Sequence, residues 1–260
     1  MKKKLKKILI MGLPGAGKTF LAKKLYPLLN AIWINADKIR KINNDWDFSP
    51  KGRERQALRM EFLANEALKK GKNVIVDFVC PTNKTRNKFN ADYIIWMDTI
   101  KKGRFLNTNK IFTKPKNVDF RVTTKNAAIN AIIIADKIKK FKWDNKKPTV
   151  QLLGRWQPWH YGHQKLLESA IKKTGQVHIM VRDVYKVGDN PFNFSYVKKK
   201  IIASTKIFGK RIKISLVPNI TNICYGRKVG YKIEKIILKK KIQVISATKI
   251  RAKMRDRGEL

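Results

Sequence analysis

The stretch KILIMGLPGAGKT at residues 7–19 decides the fold of the first half of the chain. An apolar run enters a glycine-rich loop, GLPGAGKT (12–19), and an amphipathic segment, KTFLAKKLYPLL (18–29), follows at once. The loop matches the pattern GxxxxGK[ST], which in a strand–loop–helix context is typical of a phosphate-binding P-loop. The sequence therefore predicts a nucleotide site between the first strand and the first helix.

Each type of residue in this pattern has a chemical role. Glycines let backbone N–H groups close around phosphate, Lys18 reaches the β- and γ-phosphates, and Thr19 binds Mg²⁺. The predicted nucleotide-binding glycines are Gly12, Gly15 and Gly17. The cofactors implied are ATP, or another nucleoside triphosphate, and Mg²⁺.

Apolar runs alternate with helical patterns beyond the loop, which predicts an α/β fold with a parallel sheet covered on both faces. The predicted strands are 7–12, 31–37, 73–79 and 93–99, and the predicted helices are 18–29, 53–71 and a segment near 125–141. A polar, proline-ended segment, KWDNKKP (142–148), interrupts the alternation. The alternation then restarts, predicting a smaller Rossmann-like unit with a last strand IQVIS (242–246), so we expect domains 1–145 and 149–260.

Two acids end neighbouring predicted strands, where parallel sheets place their ligands. Asp37 closes AIWINAD and Asp77 closes NVIVD. A kinase needs a carboxylate to accept the proton of the attacking hydroxyl or to orient Mg²⁺. We therefore expect Asp37 to be catalytic and Asp77 to bind the metal beside Thr19. The alternative for either acid is a helix N-cap.

The first half also resembles adenylylsulfate kinase, over roughly residues 6–122. The segments that carry the resemblance are GLPGAGKT, NADKIR (35–40) and DFSPKGRERQALR (47–59). The resemblance implies Asp37 as the catalytic carboxylate and four substrate contacts: Arg40, Phe48, Arg53 and Arg59. The chain departs from the family pattern at Asn35, Ala36, Gly52 and Gln56, which leaves the acceptor of the phosphoryl group open.

A second phosphate-binding pattern lies in GRWQPWHYGH (154–163), at the end of an apolar strand. His-x-Gly-His at a helix N-terminus brings imidazole and backbone N–H donors together on an anion. The segment ISATKIR (245–251) forms a second such corner. His160 and His163 are the predicted catalytic residues, and the predicted nucleotide-binding residues are Gly154, Arg155, Gly162, Ser246, Thr248 and Arg251.

Together these two segments resemble the HxGH and ISxTxxR signatures of the nucleotidylyltransferase superfamily, over most of 149–254. VRD (181–183) and NPF (190–192) are similar to segments of nicotinamide-mononucleotide adenylyltransferases and cytidylyltransferase-like relatives. The resemblance implies attack of a substrate phosphate on the α-phosphorus of a nucleoside triphosphate, with release of pyrophosphate. The alternative is a pair of surface histidines in a basic loop. His178 is expected to be a packed strand residue.

These patterns predict a bifunctional transferase: a kinase that phosphorylates a small-molecule hydroxyl, and a nucleotidyltransferase that uses a phosphate-bearing substrate. Working in series, the two would convert R–OH into R–O–P–P–nucleoside. One alternative is sulfate activation, with adenylylsulfate kinase joined to a sulfurylase-related half. Another alternative, from a different class, is a nucleic-acid-binding or end-phosphorylating protein.

Composition narrows these choices. The net charge of +42 favours anionic partners. The 46 Lys, 31 Ile and 19 Asn also fit an A/T-rich genome, so the charge alone does not indicate specific nucleic-acid binding. We expect small-molecule phosphates or nucleotides as partners instead. The basic start, MKKKLK, is interpreted as a tail. With no apolar run of 18 residues and only Cys80 and Cys224, we expect no membrane span, reduced thiols and a cytoplasmic protein. The oligomeric state stays open, homo-oligomers included.

Overall fold

The structure is a computed structural model that describes residues 4–227 and 230–260. The first three residues of the predicted basic tail lie outside the described residues. The chain forms two compact units, Met1–Lys140 and Phe141–Leu260.

The first unit contains the predicted parallel sheet, which is confirmed. In the described part of this unit the strands are β1 (Lys7–Met11), β2 (Ala31–Asn35), β3 (Asn73–Asp77), β4 (Tyr93–Met97) and β5 (Phe120–Val122). They are all parallel, in the order β2-β3-β1-β4-β5. The helices are α1 (Lys18–Leu29), α2 (Ala36–Ile42), α3 (Pro50–Lys69), α4 (Asn83–Phe89), α5 (Leu106–Ile111) and α6 (Ala127–Ile138).

Strand β1 is buried on both faces, as a continuously apolar parallel strand should be. Ile8 and Ile10 pack with residues of α1 and α6, while Leu9 and Met11 pack on the other face with residues of α3. The centre of the sheet therefore holds the start of the glycine loop in a fixed position.

Some local predictions for this unit are wrong. The second strand ends at Asn35 rather than Asp37, because the Asn35 side chain accepts the backbone N–H of Lys38 and caps α2. Asp37 therefore lies in the first turn of a helix. Asp77 ends β3 as predicted. The sequence analysis did not predict α2, α4, α5 or β5, because each is at most seven residues long and shows little periodicity.

The second unit also contains a parallel sheet. The described strands are β6 (Val150–Gly154), β7 (Val177–Arg182) and β8 (Ile212–Val217), in that order. The helices are α7 (Tyr161–Thr174), α8 (Phe194–Thr205) with a 3-10 continuation (Lys206–Arg211), α9 (Lys240–Gln243) and α10 (Ala247–Asp256).

The predicted last strand, IQVIS, is wrong. Its first residues belong to α9, and the N–H of Ile242 and of Ile245 donate to carbonyls three residues earlier. A short apolar run does not distinguish a strand from a turn of helix. The backbone N–H groups here donate locally rather than to a neighbouring strand. Elsewhere in the unit, His178 lies in β7 as predicted, and its Nε2 is 2.8 Å from Ser215 Oγ on β8.

Across the part of the chain that the structure describes, no helix is long and apolar enough to cross a membrane.

Candidate phosphate-binding sites

The glycine loop of the first unit follows β1 with the backbone conformations that glycine permits. Gly12, Gly15 and Gly17 have φ values of +142°, +91° and +90°. At Gly12 there is also no room for a side chain, because a Cβ would lie 2.6 Å from the carbonyl oxygen of Met97 at the end of β4. The loop thus packs against the sheet at its first residue, and the later glycines permit the positive φ values by which it turns.

Lys18 folds back over this loop from the start of α1. Its ammonium donates to the carbonyl oxygens of Gly12 (2.9 Å) and Leu13 (3.0 Å). Burial lowers the pKa of Lys18 to about 8, and the charges of Asp77 and Asp37 partly oppose that shift. The side chain is therefore a cation held in place by carbonyl dipoles, and it forms no direct ion pair with any residue that the structure describes.

A buried polar cluster lies next to Lys18. The carboxylate of Asp77 accepts the Thr19 hydroxyl (2.9 Å), the Trp33 indole N–H (2.7 Å) and the Asn35 amide (3.0 and 3.1 Å). Burial raises the pKa of Asp77, and these donors act against the increase. The hydroxyl and carboxylate oxygens are hard ligands that fit Mg²⁺, which proteins commonly bind through one or two carboxylates plus substrate phosphates. Thr19 and Asp77 would hold the cation.

Lys18, Thr19, Asn35 and Asp77 line one cavity of about 1750 Å³. This exceeds the volume usual for a single small ligand, about 300–1,000 Å³, so two substrates fit together. Asp37 is exposed and lines the cavity with Lys18 and Thr19. The phosphate end and the predicted catalytic carboxylate thus share one space.

The predicted substrate contacts are distributed unequally around this cavity. Arg40, Phe48 and Arg53 line it, and the Phe48 ring lies 4.6 Å from the Arg40 guanidinium and 5.9 Å from that of Arg53. Arg59 does not line it; its guanidinium is bonded to Gln56 (2.6 Å) and to the Asp45 carboxylate (3.0 Å).

The two lining arginines are held mainly by neutral oxygens. Arg40 is buried and donates to the backbone carbonyls of Asp45 (2.8 Å) and Asp47 (3.0 Å), and burial lowers its pKa. Arg53 donates to the Phe48 carbonyl (2.7 Å) and to Thr108 Oγ1 (3.2 Å). Arg40 also forms a long ion pair with the Asp45 carboxylate (3.7 Å), so its charge is partly compensated, whereas Arg53 donates to neutral oxygens.

Sequence reasoning missed other cations of the cavity. A Cβ on Gly15 would lie 3.7 Å from Arg104 Nε, so that arginine reaches the phosphate loop. Arg104 lies in the basic stretch after β4, which has no periodicity to mark it. The further basic residues that line the cavity are Lys84, Lys88, Lys110 and Lys125.

In the second unit, the two predicted histidines come together at the N-terminus of α7. Their rings stack with centroids 3.6 Å apart. His160 Nδ1 accepts the N–H of Gly162 (3.1 Å), and His163 Nδ1 accepts the N–H of His160 (3.4 Å). In a neutral imidazole whose Nδ1 accepts, the proton is on Nε2. Each ring therefore presents an Nε2–H donor.

Both rings are kept neutral by their surroundings. Burial lowers the pKa of His160, and burial together with the neighbouring His160 lowers that of His163 to about 3. The indoles of Trp156 and Trp159 flank His163, with centroids 4.9 and 5.4 Å away. Among the described residues, Trp159 Nε1 is buried and has no hydrogen-bond partner.

The two predicted glycines of this site make room for side chains. A Cβ on Gly154 would lie 2.7 Å from the Trp156 indole, and one on Gly162 would lie 2.9 Å from the His160 ring. Gly154 therefore lets an indole pack on the end of β6, and Gly162 lets His160 fold over the start of the helix.

Arg251, the predicted nucleotide-binding arginine near the end of the chain, already forms an ion pair and hydrogen bonds within the protein. Arg251 is buried and donates to Asp189 Oδ2 (2.9 and 2.7 Å) and to the carbonyl of Gln157. Hydrogen bonds from Arg251 and Arg255 lower the pKa of Asp189 to about 2.

The remaining predicted residues lie around this pair. Thr248 Oγ1 accepts from Arg251 (3.3 Å), and Ser246 precedes α10 without a side-chain cap bond. Arg155 is exposed just after β6. Gln157 exchanges two hydrogen bonds with the backbone of Phe192, within the segment NPF (2.6 and 3.0 Å).

The first unit is thus an α/β unit of the P-loop class, with its loop, the Thr19–Asp77 pair and the cavity at the carboxyl ends of parallel strands. A family model described as an AAA domain matches residues 8–91. No curated protein matches the chain in sequence.

Solved structures of kinases are similar to about half of this chain. The adenylylsulfate (APS) kinase of Mycobacterium tuberculosis, in complex with AMPPNP and APS, is 21% identical with a TM-score of 0.47, over 53% of this chain and 100% of that one. The shikimate kinase of Acinetobacter baumannii, in complex with shikimate, is 19% identical with a TM-score of 0.38, over 54% and 97%. The hexameric APS kinase of Thiobacillus denitrificans is 18% identical with a TM-score of 0.40, over 53% and 30%.

Proposed function

We propose that the first unit, as domain 1–145, transfers the γ-phosphoryl group of ATP or another nucleoside triphosphate to a hydroxyl of an anionic small molecule. One observation carries the proposal: the phosphate loop, the Thr19–Asp77 pair, Asp37 and the arginine pair Arg40 and Arg53 all border one cavity. The cavity has room for donor and acceptor side by side.

In this proposal each side chain has a separate task. Asp37 accepts the proton of the acceptor hydroxyl while the hydroxyl oxygen attacks the γ-phosphorus, and the nucleoside diphosphate leaves. Lys18 stabilises the charge on the transferring group. Thr19 and Asp77 would hold Mg²⁺ beside the nucleotide, where the cation would neutralise phosphate charge. Arg40 and Arg53 bind the anionic part of the acceptor.

We further propose that the second unit, as domain 149–260, transfers a nucleotidyl group. The observation that favours it is the orientation of His160 and His163, whose Nδ1 atoms both accept backbone N–H groups and whose Nε2–H groups are left to donate. A phosphomonoester oxygen attacks the α-phosphorus, pyrophosphate leaves, and the two neutral donors stabilise the charge that develops. The Trp159 N–H is a third candidate donor.

The two activities fit one reaction sequence. The kinase product is a phosphomonoester, which is the nucleophile that the second reaction requires. We propose that the chain converts R–OH to R–O–P–P–nucleoside. In the sulfate-activation alternative the product of the second half would instead be the kinase substrate.

Product analysis tests both proposals with the full chain. The protein is incubated with ATP, a second triphosphate and a pool of small hydroxyl compounds, and should yield nucleoside diphosphate and pyrophosphate as separate products. Mass spectrometry then identifies the modified acceptor. Nucleoside diphosphate without pyrophosphate would overturn the second proposal and leave the first in place. Stoichiometric pyrophosphate from ATP and sulfate would favour sulfate activation, and labelled polynucleotide ends would favour end phosphorylation.

A further inference from the structure

The buried carboxylate of Asp77 is surrounded by neutral donors. Its side chain is 2% exposed and accepts hydrogen bonds from Thr19 on α1 and from two residues of the adjacent strand β2, Trp33 and Asn35. Trp33 donates to Oδ1, and Thr19 donates to Oδ2. The two oxygens of Asp77 are therefore distinguished by their partners before any ligand arrives.

The amide of Asn35 can adopt only one orientation in this network. Its Oδ1 accepts the backbone N–H of Lys38 at the start of α2 (3.0 Å), so its Nδ2 faces Asp77. Strand register places Asn35 directly opposite Asp77. The side chain that supports the carboxylate thus also fixes the start of the helix that carries Asp37.

The indole of Trp33 is equally constrained. Its ring stacks on Tyr26 with centroids 6.0 Å apart and an angle of 24° between planes. The ammonium of Lys38 lies 5.3 Å from its centroid on the same ring system. Trp33 and Asn35 are two residues apart on β2, so both side chains face the same side of the sheet. Their N–H groups converge on one carboxylate.

The neutral side chain of Asn35 limits the charge of the cluster. Asn35 adds no charge, whereas an aspartate there would put a second carboxylate at hydrogen-bond distance from Asp77, and close carboxylates do not both ionise readily. A single buried carboxylate with a hydroxyl is a weak ligand set for Mg²⁺, which needs further oxygens from phosphate and water.

We propose that Asn35 and Trp33 are positioning residues that hold Asp77 as the single charged ligand that the described part of the protein supplies to the cation, so that the cation binds with the triphosphate and not before it. The inference rests on the proposed kinase site. Nucleotide enters such a site first or together with the metal, and the empty site does not retain divalent cations.

The substitution Asn35→Asp tests the charge argument on the full chain without nucleotide. Titration with Mn²⁺, followed by the electron paramagnetic resonance signal of the free ion, should show weak binding by the wild type. The variant should bind about tenfold tighter or more, because it adds a carboxylate ligand. Asn73→Asp, at the opposite end of β3, is the matched control and should change nothing. Equal Mn²⁺ affinity of Asn35→Asp and wild type would overturn the inference.

The substitution Trp33→Phe tests positioning, because it keeps a ring on Tyr26 and removes the N–H. Metal-free nucleotide affinity, measured in EDTA, should stay unchanged, while the Mn²⁺ concentration for half-maximal stabilisation of bound nucleotide should rise about tenfold, as for other supports of metal ligands. Trp96→Phe on β4 is the control. A parallel loss of affinity with and without metal would show a merely structural role. Failure of the wild type to bind nucleotide or transfer phosphate would instead overturn the proposed kinase function.

Discussion

The two candidate phosphate sites differ in the way each prepares for charge. In the first unit, Lys18 and Arg53 donate to carbonyl and hydroxyl oxygens, so their positive charge stays available to a ligand. In the second, the buried cation Arg251 is paired with Asp189, and the histidines are neutral. At neutral pH the first site therefore presents positive charge to phosphates already in the ground state, whereas the proposed role of the second site is to present dipoles that act as charge develops.

The largest expected effect comes from removing the positive charge of Lys18. Lys18→Ala should lower the rate of ATP-dependent phosphorylation by about 10³-fold or more, at or above the upper end of the range for one preorganised donor. Pyrophosphate release by the second unit should be unaffected. Rates of nucleoside diphosphate and pyrophosphate formation in the same sample would measure both.

Lys24→Ala is the control for this change, because Lys24 is an exposed lysine of the same helix. Loss of both products in Lys18→Ala, with an intact circular dichroism spectrum, would contradict two independent sites.

Removing one neutral donor should have the next largest effect. His163→Ala should lower the rate of pyrophosphate release about 10²–10³-fold, with a small change in triphosphate affinity, since the donor acts mainly in the transition state. His178→Gln, in β7, serves as the control. If His163→Ala showed the wild-type rate with every accepted substrate, the prediction of a catalytic role would be wrong and GRWQPWHYGH would be a basic loop only.

The comparison also predicts a difference in pH dependence. Lys18 has a pKa of about 8 in the free protein, and bound phosphate should raise it. Below pH 8 the lysine is already protonated and nucleotide affinity should be flat. Above pH 8 binding must take up a proton, so affinity should fall by about tenfold per pH unit until the pKa of the complex is reached.

Calorimetry between pH 7 and 9.5, in buffers of different ionisation enthalpy, would measure that proton. Lys18→Arg keeps its charge over this range and should show no uptake. An identical pH profile for both proteins would assign the titration to another group.

The smallest effect tests whether Arg251 can serve as a phosphate clamp. Asp189→Asn removes its partly exposed partner and should raise triphosphate affinity about two- to fivefold, the size of one such ion pair. Asp256→Asn, an exposed acid of α10, is the control. Unchanged affinity, with a lower melting temperature, would make Arg251 a support for the Gln157 carbonyl rather than a ligand contact.

Patterns that depend on local backbone chemistry were predictable from the sequence. The glycine loop, strands β1 to β4 and the placement of Asp77 beside Thr19 follow from a motif with a fixed spacing and from continuous apolar runs. The HxGH pair at a helix start was predictable for the same reason.

Contacts between distant segments were not predictable. Nothing in the motif shows that Trp33 donates to Asp77, that Asp189 neutralises Arg251, or that Arg104 reaches Gly15 from an irregular stretch. The side chain of Asn35 ended a strand two residues early by capping α2, a competition between local bonds that periodicity does not reveal. The exposed, lysine-rich surroundings of IQVIS likewise gave no sign that it would turn rather than extend.

The stacked imidazoles of His160 and His163 also link the second unit to protons through its unfolding. In the unfolded chain each ring has a pKa near 6.5, whereas the folded pKa of His163 is about 3 and that of His160 is also lowered. As pH falls below 6.5 the unfolded state takes up protons that the folded state refuses. The free energy of unfolding should therefore fall by up to about 1.4 kcal/mol per pH unit for His163 alone, until its folded pKa is passed. The packing that keeps these rings as neutral donors at pH 7 also makes this unit sensitive to acid.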